Sequence, residues 1–263
     1  MNKEQRLAAI LNILNQNGKV QISDLIEKFN VSDMTIRRDF DCLVSRGQIT
    51  RTHGGAVLAE NSNQEKSLPV TLEPAYLTRV NEQAEYKEEI AQNALQLIKP
   101  NQFVFLDSGT TTLYIAQMIP KDFPCTFITN GVNVAITLLS KQFPNVLIIG
   151  GEADLNTWSS RGTLAESQIS SFHADIAFLG CNAVSPSGNV MVGNTPETGI
   201  KHKIMDISDE IYLLADSSKF GSYSLISYAS VNDFHGVITD RYLPQNIQKG
   251  IQDLGGKFIF PDN

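Results

Sequence analysis

The chain has 263 residues, 42% of them hydrophobic and 19% charged, with a formal net charge of -7. These are the proportions of a folded globular protein of one or two domains, which excludes a disordered or fibrous chain. The negative balance excludes a surface that coats nucleic acid or membrane along its whole length. It also averages over unlike parts: residues 1–60 hold 8 Lys+Arg against 7 Asp+Glu, and the remainder holds 13 against 21. No apolar run reaches the roughly 18 residues that span a bilayer. The start, MNKEQRLAAILNIL, is amphipathic and unlike a signal sequence, so a cytoplasmic location is expected. Cys42, Cys125 and Cys181 are scattered and odd in number, which predicts free thiols and neither disulfides nor a metal site.

Leu7, Ile10, Leu11 and Leu14 recur at helical spacing, and Gly18 follows as a stop. Ser23 before Leu25, Ile26 and Phe29 predicts an N-cap and a short second helix. Ser32 predicts a third cap, with a helix from Asp33 to about Ser45. Two short helices joined so tightly form a helix-turn-helix. On a wheel of about 100° per residue, Ile36, Phe40, Leu43 and Val44 share the core face of the third helix. Met34, Thr35, Arg38, Asp41, Cys42 and Ser45 stand opposite, with Arg37 at the flank.

A helix that reads the major groove carries short polar side chains and arginine near its N-terminus. Ser32, Met34, Thr35, Arg37 and Arg38 are therefore candidate DNA contacts. The Arg38 guanidinium suits the paired acceptors of a guanine edge, and Arg37 suits a phosphate. Behind this helix, Ile49 and Val57 bracket Gly54-Gly55, predicting a hairpin wing on which Arg51 and His53 approach the backbone or minor groove.

Residues 59–75 are polar, carry two prolines and lack an apolar period, which predicts a linker. The domains expected are thus 1–58, a winged helix-turn-helix, and 76–263. A helix is expected from Tyr76 through Ile98, stopped by Pro100. Beyond it, Phe103–Leu106, Thr126–Ile128, Val146–Ile149, Ile176–Leu179, Ile211–Leu214 and Val237–Ile238 are continuous apolar runs separated by helix-length segments. That pattern predicts parallel strands buried on both faces, hence a doubly wound α/β sheet.

Ligands in such sheets bind beyond the carboxyl ends of the strands. The turns expected there are 107–111, 129–131, 150–151, 180–182 and 216–221. Asp107-Ser108-Gly109-Thr110-Thr111 leads hydroxyls and free N–H groups into a helix start, an anion site. Asp107 itself would repel an anion, which suits it to a sugar hydroxyl or to turn geometry. Lys219 is the compensating cation, and Glu197 with Lys201 forms an i,i+4 pair whose ordinary meaning is helix support.

Leu25-Ile26, Phe29 to Ser32, Met34 to Phe40 and Arg51 to Ala56 resemble the winged helix of the DeoR family of bacterial transcription regulators. Asp107 to Thr112, Thr129-Asn130, Gly150-Gly151, Glu197 to Lys201 and Asp216 to Gly221 look like that family's C-terminal domain, which is similar in fold to ribose-5-phosphate isomerase. Tyr86, Pro100 and Asn182-Ala183 depart from the family pattern. The resemblance implies a homodimer or homotetramer that binds double-stranded operator DNA and senses a phosphorylated sugar without turning it over. It adds Arg79, Lys87, Asn130 and Gly151 to the effector contacts, beside Asp107, Ser108, Gly109, Thr110, Thr111, Glu197, Lys201, Asp216 and Lys219, and it implies no cofactor. It assigns Asp39 to orienting an arginine or bracing the wing. The rival reading is an isomerase or deaminase with a helical docking module, in which Glu197, Asp216 or Lys219 does acid–base work.

Overall fold

A computed structural model describes residues 3–45, 49–52, 54–58 and 76–260. The chain separates into two compact units, Met1–Thr71 and Leu72–Asn263. His53 and the expected linker lie outside the described residues.

In the first unit α1 (Lys3–Asn17) leads to β1 (Lys19–Gln21), α2 (Ile22–Phe29), α3 (Asp33–Ser45), β2 (Ile49–Thr52) and β3 (Gly55–Leu58). Gly18, at φ +72, ends α1 and donates its N–H to Leu14. The three strands form an antiparallel sheet in the order β1-β3-β2, the arrangement of a winged helix. Leu7, Ile10, Leu14, Leu25, Ile36, Phe40 and Leu43 form the core beneath it.

Three expectations are corrected here. Ser23 does not cap α2: the chain passes straight from β1 into the helix, so Gln21 holds the cap position and the Ser23 hydroxyl bonds Asp24. Val44 is 42% exposed and is not core. Gly55 is a strand residue paired with both Thr52 and Gln21, and a Cβ there would stand 2.0 Å from the Val20 carbonyl oxygen. Gly55 therefore belongs to β3 and not to the wing turn.

The second unit opens with α4 (Tyr76–Asn81) and α5 (Ala84–Leu97). The single helix expected across this stretch is broken, with Gln83 at φ +52 ahead of α5. There follow β4 (Phe103–Leu106), α6 (Thr110–Met118), β5 (Thr126–Thr129), α7 (Val132–Ser140), β6 (Val146–Ile148), a hairpin of β7 (Glu152–Asp154) and β8 (Ser159–Arg161), α8 (Thr163–Ile169) and β9 (Ala174–Gly180). The remainder comprises β10 (Ala183–Val184), β11 (Asn189–Val192), α9 (Thr195–Asp206), β12 (Ser208–Leu214), β13 (Ile226–Ser230), β14 (Gly236–Ile238), α10 (Gln245–Asp253) and β15 (Phe258–Ile259).

Seven strands make one parallel sheet in the order β15-β14-β12-β9-β4-β5-β6. Alternate residues feed two cores. Val104, Leu106 and Phe178 meet α5, α6 and α7 on one face. Phe105, Ala177 and Leu179 meet α8, α9 and the β10-β11-β13 sheet on the other. This is the doubly wound fold. Winding runs outward in both directions from β4 and β9, so the switch point lies between them, where a crevice opens at the strand ends.

Candidate functional site

The first unit offers a helix start framed for contact. Asn30, in the left-handed region at φ 49, turns the chain between α2 and α3. The Ser32 hydroxyl accepts the Thr35 N–H at 3.3 Å and pairs with the Thr35 hydroxyl at 2.9 Å, capping α3. Met34 is 60% exposed, Arg37 and Arg38 are exposed, and Thr35 is half-buried. Arg37 forms an ion pair with Asp33 one turn earlier, and that hydrogen bond raises its pKa. Arg51, on the wing, donates to the Arg37 carbonyl at 2.8 Å, tying β2 to α3. Arg38 has no hydrogen-bond or ion-pair partner among the described residues.

Asp39 is buried, and its carboxylate accepts from Arg6 Nε at 2.5 Å and Nη2 at 3.1 Å. It orients an arginine, one 33 residues away on α1 rather than a neighbour. The signal was present in the sequence: Ile36, Asp39, Phe40 and Leu43 occupy one helical face, and a carboxylate among apolar side chains needs a cation.

In the second unit the site forms at the switch point. Asp107 follows β4 and Gly180 ends β9. One Asp107 oxygen accepts the Gly180 N–H at 3.1 Å and the Lys201 ammonium at 2.6 Å, while the other accepts the Ser108 N–H at 2.8 Å. Lys201, on α9, also donates to the Gly180 carbonyl at 2.9 Å and lies 5.1 Å from the Tyr228 ring centroid. Burial works against this ammonium, but the charges of Asp107 and Glu197 and the bond to Asp107 prevail, so its pKa is raised. Asp107 is therefore spent on turn geometry, and Lys201 does more than support its helix.

Around this pair a pocket is lined by Arg79, Lys87, Asp107, Ser108, Gly109, Thr110, Thr111, Glu197, Lys201, Asp216 and Lys219. The N-terminus of α6 faces into it, with the Thr112 hydroxyl turned back onto the Asp107 and Gly109 carbonyls. The first N–H groups of a helix lack intrahelical partners, which makes this end electropositive. Asp216 caps the turn holding Lys219 by accepting from Ser218, and Asn194 holds Glu197 at 2.7 Å.

Lys87 is buried and donates to the Arg79 and Glu82 carbonyls. Burial lowers its pKa to about 8. Arg79 donates to the Asn156 carbonyl through Nη2, while its buried Nε has no partner. Asn130 lines an adjoining recess with Asp154, Ser160 and Arg161, and its buried Oδ1 is unpartnered. Gly151 lines neither space. It is fixed instead by packing, since a Cβ there would meet the Arg161 carbonyl oxygen at 2.7 Å.

Glu82, Gln83 and Thr157 also line the pocket and were not anticipated, while Ser218 lines it from within an anticipated turn. Cys181, within an anticipated turn, lines it with its thiol pushed up to about 12 by burial. Cys42, Cys125 and Cys181 form no disulfide among the described residues. No helix among the described residues is long and apolar enough to cross a membrane.

Comparison with known proteins matches residues 6–62 to the DeoR-like helix-turn-helix domain and residues 82–241 to the DeoR C terminal sensor domain. The chain belongs to the DeoR family. It is 35% identical to the L-fucose operon activator of Haemophilus influenzae, over 91% of this chain and 93% of that protein. It is 30% identical to the glycerol-3-phosphate regulon repressor of Escherichia coli strain K12, over 96% and 97%. It is also 30% identical to the lactose phosphotransferase system repressor of Lactococcus lactis, over 95% and 96%. Among solved structures, a ribose 5-phosphate isomerase A from Neisseria gonorrhoeae shares 16% identity with a TM-score of 0.40, covering 55% of this chain and 56% of that one. This DeoR-family chain is a DNA-binding transcription regulator, not an enzyme.

Proposed function

We propose that this regulator represses a carbohydrate-utilisation operon and that a phosphorylated sugar in the sensor pocket alters its grip on the operator. The observation that carries the reading is the pocket at the switch point, where a helix N-terminus faces Arg79, Lys87 and Lys219 while the buried carboxylate of Asp107 is paired with Lys201. A phosphate finds donors and cations there. Ser108, Thr110 and Thr111 would bond its oxygens, and Glu197, Asp216 and Asn130 would take sugar hydroxyls.

On the DNA side Arg38, Thr35, Ser32 and Met34 would face base edges, and Arg37 and Arg51 phosphates. His53, which lies in sequence between β2 and β3, belongs to the same proposal. Two copies would set two recognition helices in successive major grooves, hence a homodimer or a pair of dimers working in the cytoplasm. Ligand releases DNA only if it binds the low-affinity arrangement better, with coupling of about 1–3 kcal/mol.

Lys219→Ala tests this. The variant should keep the operator footprint of the wild type while needing at least about tenfold more sugar phosphate for the same thermal stabilisation, the cost of one charged contact. Equal titrations would remove the lysine, and with it this placement of the phosphate.

A further inference from the structure

α4 is six residues long and cannot hold itself, since isolated helices below about 12 residues are marginal in water. Its hold comes from neighbouring side chains. Tyr76 is buried and stacks on Trp158, with ring centroids 6.2 Å apart. The Arg79 guanidinium lies 5.8 Å from the Tyr76 ring centroid and donates to the Asn156 carbonyl at 3.2 Å. The Tyr114 hydroxyl donates to the Val80 carbonyl at 3.3 Å, and the Lys87 ammonium takes the Arg79 and Glu82 carbonyls. Both Asn156 and Trp158 belong to the turn between β7 and β8, residues 155–158. That turn is strained: Trp158 holds φ +52, a left-handed conformation unfavourable for a bulky side chain, while its carbonyl accepts the Val132 N–H at the start of α7.

The polar anchors of α4 also border the sensor pocket. Arg79, Lys87 and Thr157 of the turn line it, together with Lys219. The charges of Arg79 and Lys219 act against that of Lys87. An anion among the three relieves this repulsion. It can do so without breaking the bonds that hold α4, because a guanidinium carries five N–H donors and an ammonium three, and the carbonyls occupy only some of them.

α4 is the first described element after segment 59–75, which joins it in sequence to the winged helix. We infer that α4, clasped by Arg79, Lys87 and the 155–158 turn, is the latch through which pocket occupancy reaches the DNA-reading unit. An anion on Arg79 and Lys87 fastens α4 to the sensor core and so fixes where segment 59–75 leaves it; without that anion the short helix undocks more readily. A ligand that binds the docked form better shifts the population toward it. The chemistry of the anion rests on the sugar-phosphate reading above, whereas the choice of α4 rests on its anchors.

Hydrogen exchange and footprinting of the full chain test the latch, with inorganic phosphate and a panel of hexose and pentose phosphates as probes. A compound that raises the thermal midpoint should slow exchange of the 76–82 amides at least about fivefold, the low end of ordinary coupling between sites. Trp158→Asn removes the stack on Tyr76 outside the pocket lining, and asparagine tolerates the left-handed backbone. The variant should still be stabilised by the compound, yet lose both the slowed exchange at 76–82 and the compound's effect on the footprint. A variant footprint that responds as wild type does overturns the latch. So does a compound that stabilises wild type while leaving exchange at 76–82 or its footprint unchanged, and this result decides if the variant fails to fold. Should no phosphate compound raise the midpoint, the effector reading itself fails and the latch falls with it.

Discussion

Arg38 and Asp39 are neighbours in sequence with opposite fates. Arg38 lies exposed on α3, while Asp39 is buried against Arg6. Arg38→Ala should leave the unfolding midpoint in urea unchanged and cost about 1–3 kcal/mol of operator preference, erasing the specific footprint. Asp39→Ala should do the reverse at first hand, leaving a buried guanidinium uncompensated and destabilising the helical unit by about 3 kcal/mol. Urea unfolding and footprinting of both variants separate the roles; a destabilised Arg38→Ala would make that arginine structural. The exposure of Arg38 was legible from the wheel alone. Arg6 was not, because its partner stands 33 positions away and only the crossing of α1 with α3 brings them together.

At the scale of elements, the break between α4 and α5 escaped the sequence because 76–98 contains neither glycine nor proline. Gln83 takes the left-handed conformation, and the Lys87 ammonium gathers the carbonyls that the interruption frees. Burial holds the pKa of Lys87 at about 8, below its ordinary 10.5. A lysine depressed in this way weighs against the folded state while charged; the penalty is complete below about pH 8 and fades as pH rises toward the unfolded value. Over the same window the pocket loses a cation, so affinity for a sugar phosphate should fall. Lys87→Met should flatten both trends, read as thermal midpoints and titrations at about pH 7.5 and 9.5, with phosphate already fully ionised at both. A wild type and variant sharing one slope would show that Lys87 keeps its proton. The small β10-β11-β13 sheet was equally hidden, since its short strands alternate weakly, and with it went Tyr228 beneath Lys201.

At the scale of the whole molecule, continuous apolar runs told of parallel strands, but a run carries no record of its neighbours. Strand order decides function here, since it sets Asp107 beside Gly180 and brings α6, α9 and the Lys219 turn around one opening. Eleven of the anticipated effector residues line that opening: seven, Asp107 to Thr111 with Asp216 and Lys219, because they followed a strand end, and Arg79, Lys87, Glu197 and Lys201 from the helices α4, α5 and α9. Gly151 followed a strand end too, yet it is held by packing against the β8 end and α8. The most direct measurement is a footprint of the full chain on the DNA upstream of its own operon, with and without a panel of sugar phosphates. The account predicts protection of two half-sites about one helical turn apart, altered by a sugar phosphate that also raises the thermal midpoint. Protection without sequence preference, or a midpoint raised by sugar phosphates with no effect on the footprint, would contradict it.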